Sequence, residues 1–303
     1  MNYNKRLVRT GALAVAVTIA FGLFAYKAAE WSKGLNSEFL VLGQSGGSGG
    51  GSTGGTGTES TTAKVIPQVA VGSFDGGLTK YVTVIQVVNT GSSAITVTGN
   101  FYKEDGTAST LPLATNLTTT ATFTGTLPSV NLAGNQVLVI SGGTTTATTP
   151  SPGAIGWGKI TTTGNVSIAT FFELRDGATS VLYSRVGVTA SPADMLQFVI
   201  PRVRDAAAGL DVAFALVNTG SVAASFTATL KDANGATIAT KMDSLAAGRH
   251  VALFTREYFS LTNEPAGRNY HYITFSSLSA SFAAIALAFE GGTQTSFPVD
   301  RLQ

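Results

Sequence analysis

Beyond about residue 64, apolar and polar residues alternate along most of the chain, the period of two that sends successive side chains to opposite faces of a β-strand. Thr83, Ile85 and Val87 form one inward face, and Val212, Phe214 and Leu216 form another. Val97 with Phe101, and Phe226 with Leu230, mark the strand that follows in each case. Turn-forming residues punctuate these runs. Asn-Thr-Gly separates the two strands, and Asp-Gly or Asn-Gly follows the second, residues that tolerate the positive φ of tight hairpin turns. Helical periodicity is nearly absent here, so the pattern predicts short antiparallel strands arranged in sandwiches.

The N-terminus reads differently. A basic start, Met1–Arg9, precedes an uncharged run from Thr10 to Tyr26 built largely of Ala, Val, Leu, Ile and Phe. As a helix this run covers roughly 25 Å, close to the hydrocarbon thickness of a bilayer. It reads as a signal peptide or as a single membrane anchor. The best cleavage sites, after Ala25 and after Gly22, are both mediocre, and either reading exports the rest of the chain. From Gln44 to about Thr62 the sequence is QSGGSGGGSTGGTGTESTT, which has almost nothing apolar to bury and behaves as a flexible tether. Between anchor and tether lies a short apolar stretch containing Phe39, Leu40, Val41 and Leu42. It is either a detachable assembly strand that completes a neighbouring subunit's sheet, or a stub on the bilayer or on the first folded unit.

The folded region repeats itself. Val87-Val88-Asn89-Thr90-Gly91-Ser92 returns 129 positions later as Leu216-Val217-Asn218-Thr219-Gly220-Ser221. At the same offset the segment Phe101–Gly106 meets Leu230–Gly235, and Ile66-Pro67-Gln68-Val69 opens the first copy much as Ile200-Pro201-Arg202-Val203 opens the second. Leu132-Ala133-Gly134 answers Leu245–Gly248 only at an offset near 114, which places some fifteen extra residues in the first copy, in its Thr-rich stretches 115–126 and 142–152. The predicted organisation is therefore a signal peptide or anchor helix (1–34), an apolar segment with a Gly/Ser linker (35–64), and two tandem β-sandwiches of one fold (65–192 and 193–303).

A Val-Asn-Thr-Gly-Ser turn, an alternating strand and then an Asp-x-Asn-Gly turn resemble the immunoglobulin-like β-sandwich repeats of bacterial secreted and cell-surface proteins. The resemblance covers residues 65–303 and is clearest at 82–106 and 211–235. It implies an all-β chain of two antiparallel immunoglobulin-like sandwiches, with roles in surface stalks, adhesion or filament-like assembly. It supplies no catalytic residue to carry across.

Composition narrows the chemistry. Residues 1–34 carry Lys5, Arg6, Arg9, Lys27 and Lys33 against Glu30, a net of +4 that leaves about −2 for the rest of a chain whose total is +2. No basic patch of the kind that binds a phosphate backbone follows, so nucleic acid is not an expected partner. Without cysteine there are no disulfides, thiolate metal sites or thiol nucleophiles. The two histidines, His250 and His271, accompany no Gly-x-Ser-x-Gly elbow and no zinc spacing; His271 reads as a packing or strand-surface residue, and His250, just before the strand Val251–Phe254, as a turn or strand-start residue. Asp232 ahead of Asn234-Gly235 has oxygen ligands at alternate positions but no distal bidentate acid, so a hairpin turn explains it better than calcium. No catalytic, metal or cofactor site is predicted.

Trp157, Tyr270 and Tyr272 are candidate surface aromatics, suited to stacking against sugar rings. The reading is a non-enzymatic, exported protein of the cell envelope with a structural or assembly role, as in a surface filament subunit. Its partners would be the membrane through residues 10–26 if uncleaved, and other copies of itself or envelope components. A membrane-tethered adhesion or carbohydrate-binding module is the alternative.

Overall fold

The computed structural model describes residues 62–117, 122–142, 152–262, 264–279, 281–290 and 293–302. The candidate helix at 10–26, the Gly/Ser tether up to Thr61 and the stretch Phe39–Leu42 lie outside the described residues. Among the described residues no helix is long and apolar enough to cross a membrane.

The described chain is nearly all β. The first half comprises β1 (Thr62–Val71), β2 (Thr79–Asn89), β3 (Ile95–Lys103), β4 (Leu113–Thr115), β5 (Thr126–Leu132), β6 (Val137–Gly142), β7 (Ala154–Thr162), β8 (Val166–Asp176) and β9 (Leu182–Thr189). The second comprises β10 (Gln197–Asp205), β11 (Asp211–Asn218), β12 (Ala224–Asp232), β13 (Thr237–Leu245), β14 (His250–Phe254), the short helix α1 (Thr255–Tyr258), β15 (Arg268–Ser277), β16 (Phe282–Glu290), β17 (Thr293–Phe297) and β18 (Asp300–Arg301).

Two sheets form each half, and their strand orders repeat. The order β1-β7-β3-β5 recurs as β10-β15-β12-β13, to which β18 is added, and β6-β2-β8-β9 recurs as β14-β11-β16-β17. The additional strand of the first half, β4, pairs on the outside of β6. All of these pairings are antiparallel. The predicted inward faces fill the cores. Ile85, Val87, Val97 and Phe101 pack in one cluster, and Val212, Phe214, Leu216, Phe226 and Leu230 in the other. The second core is the more aromatic, with Phe198 stacked on Phe275 at 4.7 Å and Phe214 edge-on to Tyr258.

Three expectations change. The strand order is not that of an immunoglobulin sandwich, in which the first two strands neighbour each other in one sheet. Here β1 and β2 belong to opposite sheets, linked at one end by the bridge Gly72–Tyr81 and by Thr83 Oγ1, which donates to the Ala70 carbonyl and accepts from its amide. The Asn-Thr-Gly motif is not a hairpin turn either, because β2 and β3 lie in opposite sheets and neither Gly91 nor Gly220 has a positive φ. It is an arch held by its asparagine. Asn89 Nδ2 donates to the carbonyls of Ser93, Leu132 and Ala133, and Asn218 Nδ2 to those of Val222, Leu245 and Ala246, while each Oδ1 accepts from the glycine amide two residues on. By contrast Gly106 (φ 85°) and Gly235 (φ 84°) do close tight turns. Third, the first copy's extra residues all lie between β3 and β5, at 104–125 against 233–236 in the second; the β6–β7 connection 143–153 is no longer than its counterpart 255–267.

Candidate functional site

The two halves meet over an apolar surface. Phe172, Val186 and Val188 of the first half pack against Ala215, Ala252 and Ile285, on the outer face of the second half's β14-β11-β16-β17 sheet. Beside them Val65 and Trp157 pack against Val217 and Ala283, with Tyr102 and Ala193 at the margin. Trp157 is therefore not a surface aromatic. It is 3% exposed, stacks on Tyr102 with ring centroids 4.3 Å apart, and donates its indole N–H to the Gly248 carbonyl at 2.9 Å. Nothing in the local sequence announces this burial, since the covering residues come from the other half. The backbones also touch: His250 N–H donates to the Glu104 carbonyl at 2.9 Å, and a Cβ on Gly106 would lie 3.0 Å from the Ala247 and Gly248 backbone.

Inside this junction lies a void of about 40 Å³ bounded by Phe172, Ala215, Ile285, Leu287 and Phe289, with Gln68 and Gln294 beside it and a wall that is almost entirely apolar. The Gln68 side chain is buried, and both its amide atoms lack a hydrogen-bond partner.

The second half closes its corresponding end with charge. Arg202, which the repeat aligns with Gln68, is fully buried. Its Nε donates to Thr255 Oγ1 at 2.6 Å, its Nη2 to Glu264 Oε1 at 2.6 Å, and its Nη1 faces His271 Nδ1 at 2.9 Å. An arginine only donates, so His271 must present an unprotonated Nδ1. Burial, and then Arg202, hold the His271 pKa below its usual value. Glu264 also accepts from Arg204, and Asp211 lies 3.3 Å from Arg256 and 3.8 Å from Arg202. Burial raises the Asp211 pKa, against the pull of Arg202 and Arg204. This network brings His271 together with carboxylates, and Arg202, facing one of the two imidazole nitrogens, ties Thr255 of α1 and Glu264 of the following loop onto β10.

His250, Asp232 and Glu173 are likewise engaged in structure. Burial, and then Arg249, push the His250 imidazole down to about 3, and its Nδ1 lies 3.9 Å from Glu104. Asp232 Oδ1 accepts from the amides of Asn234 and Ala236, so its oxygens fold a turn. Glu173 is clamped between Arg175 and Arg185 at 2.7 and 2.8 Å. Among the described residues no group of three or more His, Asp or Glu is placed to hold a metal ion. Tyr270 is 63% exposed and Tyr272 half-buried, and their spacing puts both on the outer face of β15.

No family model matches the chain, and no curated protein matches it. Among solved structures it is similar to a Pleurotus ostreatus lectin (10% identity, 81% of each chain covered, TM-score 0.16). It is also similar to the pilus backbone of Streptococcus pneumoniae (9% identity, 80% of this chain and 98% of that one, TM-score 0.15), and to Bacteroides uniformis β-glucuronidase 2 (9% identity, 74% and 26%, TM-score 0.16). Likeness at this level carries no argument about function.

Proposed function

We propose that this chain is a non-enzymatic, exported structural or assembly protein of the cell envelope, presenting two β-sandwiches beyond a membrane segment and a flexible tether. A surface filament subunit is the specific form of this reading. The observation that carries it is where the molecule invests its organised surface: an aromatic-anchored apolar junction joins the halves, while the charged groups cap turns or lock a closed end. A catalytic centre would instead turn its perturbed groups toward a concave pocket. Protease shaving of intact cells, followed by mass spectrometry of the released and retained peptides, tests the assignment. Peptides from residues 65–303 should be released while the cell stays intact. Their protection until lysis would contradict display at the cell surface.

A membrane-tethered adhesion or carbohydrate-binding module is the second reading, favoured by the exposed Tyr270 beside Tyr272. It predicts glycan binding that Tyr270→Ala abolishes.

A further inference from the structure

Because the halves repeat, each residue at their junction has an equivalent elsewhere in the molecule. Register across the sheets equates Gly158 with Ile273 by two routes, through Ile66 and Ile200 and through Phe101 and Leu230. The docking residues Val65, Tyr102 and Trp157 therefore correspond to Val199, Lys231 and Tyr272. On the receiving side, Val217 and Ala283 correspond to Val88 and Ser167, and Ala215 and Ile285 to Gln86 and Ala169. Burial separates the two sets. Val65, Trp157, Val217, Ala283, Ala215 and Ile285 are buried, whereas Val199, Tyr272, Val88, Gln86 and Ala169 are half-buried and Ser167 is exposed.

Part of each side of an interface that the chain already forms once is thus presented again, uncovered, one on each half; the equivalents of Phe172 and Val188, Ala288 and Phe297, instead pack in the second half's own core. The centre of the first half's receiving face is uncharged, made up of Val84, Gln86, Val88, Val139, Ala169 and Phe171, with Glu173 and its partners Arg175 and Arg185 at one end of it. On the second half the turn that would accompany docking is also preserved. Gly235 has nearly the same φ as Gly106, and the space above it is open, with only the Tyr272 hydroxyl within 4 Å of a built Cβ.

We infer that a second copy of this chain docks head to tail, its Val88–Ser167 face on the Val199–Lys231–Tyr272 patch of the first. This rests on the assembly reading above and specifies its geometry. The contact is heterologous, so nothing in it limits the number of copies joined. It is weaker than the junction within the chain for two reasons on the page. Lys231 replaces Tyr102 and so removes the aromatic stack, and α1 with the 259–267 loop fills the end against which the second half packs in the internal case.

Sedimentation velocity of the full chain in detergent micelles tests this, over a concentration series reaching the roughly 100 µM range where weak interfaces associate. The wild-type chain should form a ladder of species. Ser167→Arg and Tyr272→Glu should each be monomeric, with Lys231→Glu as a second variant of the same patch should Tyr272→Glu fail to fold. An equimolar mixture of Ser167→Arg and Tyr272→Glu should give dimers and nothing larger, since each copy keeps one intact surface. Lys231→Tyr, which rebuilds the stack, should tighten association by about three- to tenfold. A wild-type chain monomeric throughout would overturn the inference. So would single variants that assemble like the wild type, the behaviour expected if residues 35–43 or a two-fold contact held the copies together. Either result would leave the shaving experiment, and the envelope reading it tests, standing apart.

Discussion

At the end of the first half, β1 carries Gln68 in a bulge between Ile66 and Val69, and the second half's sheet covers it. At the end of the second half, β10 carries Arg202, and the same chain folds α1 and the 259–267 loop back over it. One fold therefore solves the problem of its open end in two ways: by borrowing the neighbour's apolar face, or by building a private ionic lid. A borrowed closure costs little polar desolvation but makes one half depend on the other. A private lid costs the burial of charge, and it holds only while every partner is present.

The first way to break this comparison is at its two aligned positions. Arg202→Ala should destabilise the second half by about 3–5 kcal/mol, because it empties a fully buried site and removes the guanidinium shared by Glu264, the buried Asp211 and Thr255, leaving only Arg204 and Arg256 beside the carboxylates. Gln68→Leu should be within about 1 kcal/mol of neutral and on the stabilising side, since it removes a buried amide that has no partner. Denaturant unfolding followed by circular dichroism measures both. Equal costs at the two positions would mean that the ends are not closed by different physics.

A second pair probes the aromatic positions. Trp157→Ala should cost about 3–5 kcal/mol, the range for emptying a buried aromatic site, whereas Tyr272→Ala at the equivalent position should cost under about 1 kcal/mol in a monomer.

The smallest effect concerns pH. His250 is held neutral by burial, with a folded-state pKa of about 3 against 6.5 when free. A depressed histidine contributes stability that is present in full above the unfolded pKa and is lost as pH falls toward the folded one. Thermal stability should therefore decline between about pH 6.5 and 3, and His250→Leu should flatten that decline. Glu104 and Asp211 have raised pKa values through burial. They act in the opposite sense, because protonation on acidification favours their folded form, and so offset part of that decline.

Much of this fold was legible in the sequence for a local reason. Alternation at Thr83–Val87 and Val212–Leu216 encodes which face is buried, and the repeated Asn-Thr-Gly encodes a chain reversal. What the motif does not encode is which sheet the next strand joins. A hairpin and an arch use the same residues, and the three carbonyls that Asn218 holds include two from residues 245 and 246. The candidate surface was less legible. Trp157 and Tyr272 occupy equivalent places on equivalent strands, yet one is covered and the other is not, because burial at a junction is decided by residues far along the chain. The contrast of Gln68 with Arg202 was visible in the aligned repeats. Its meaning required Glu264, His271 and Thr255, none of which lies near Arg202 in sequence.

The most direct test of unequal dependence is to express residues 62–192 and 193–303 separately and follow each by thermal unfolding. The second half should fold alone with a cooperative transition, because its lid belongs to its own chain. The first should lack one, its Trp157 and Phe172 exposed. A first half that folds cooperatively by itself, or a second half that does not, would contradict the account.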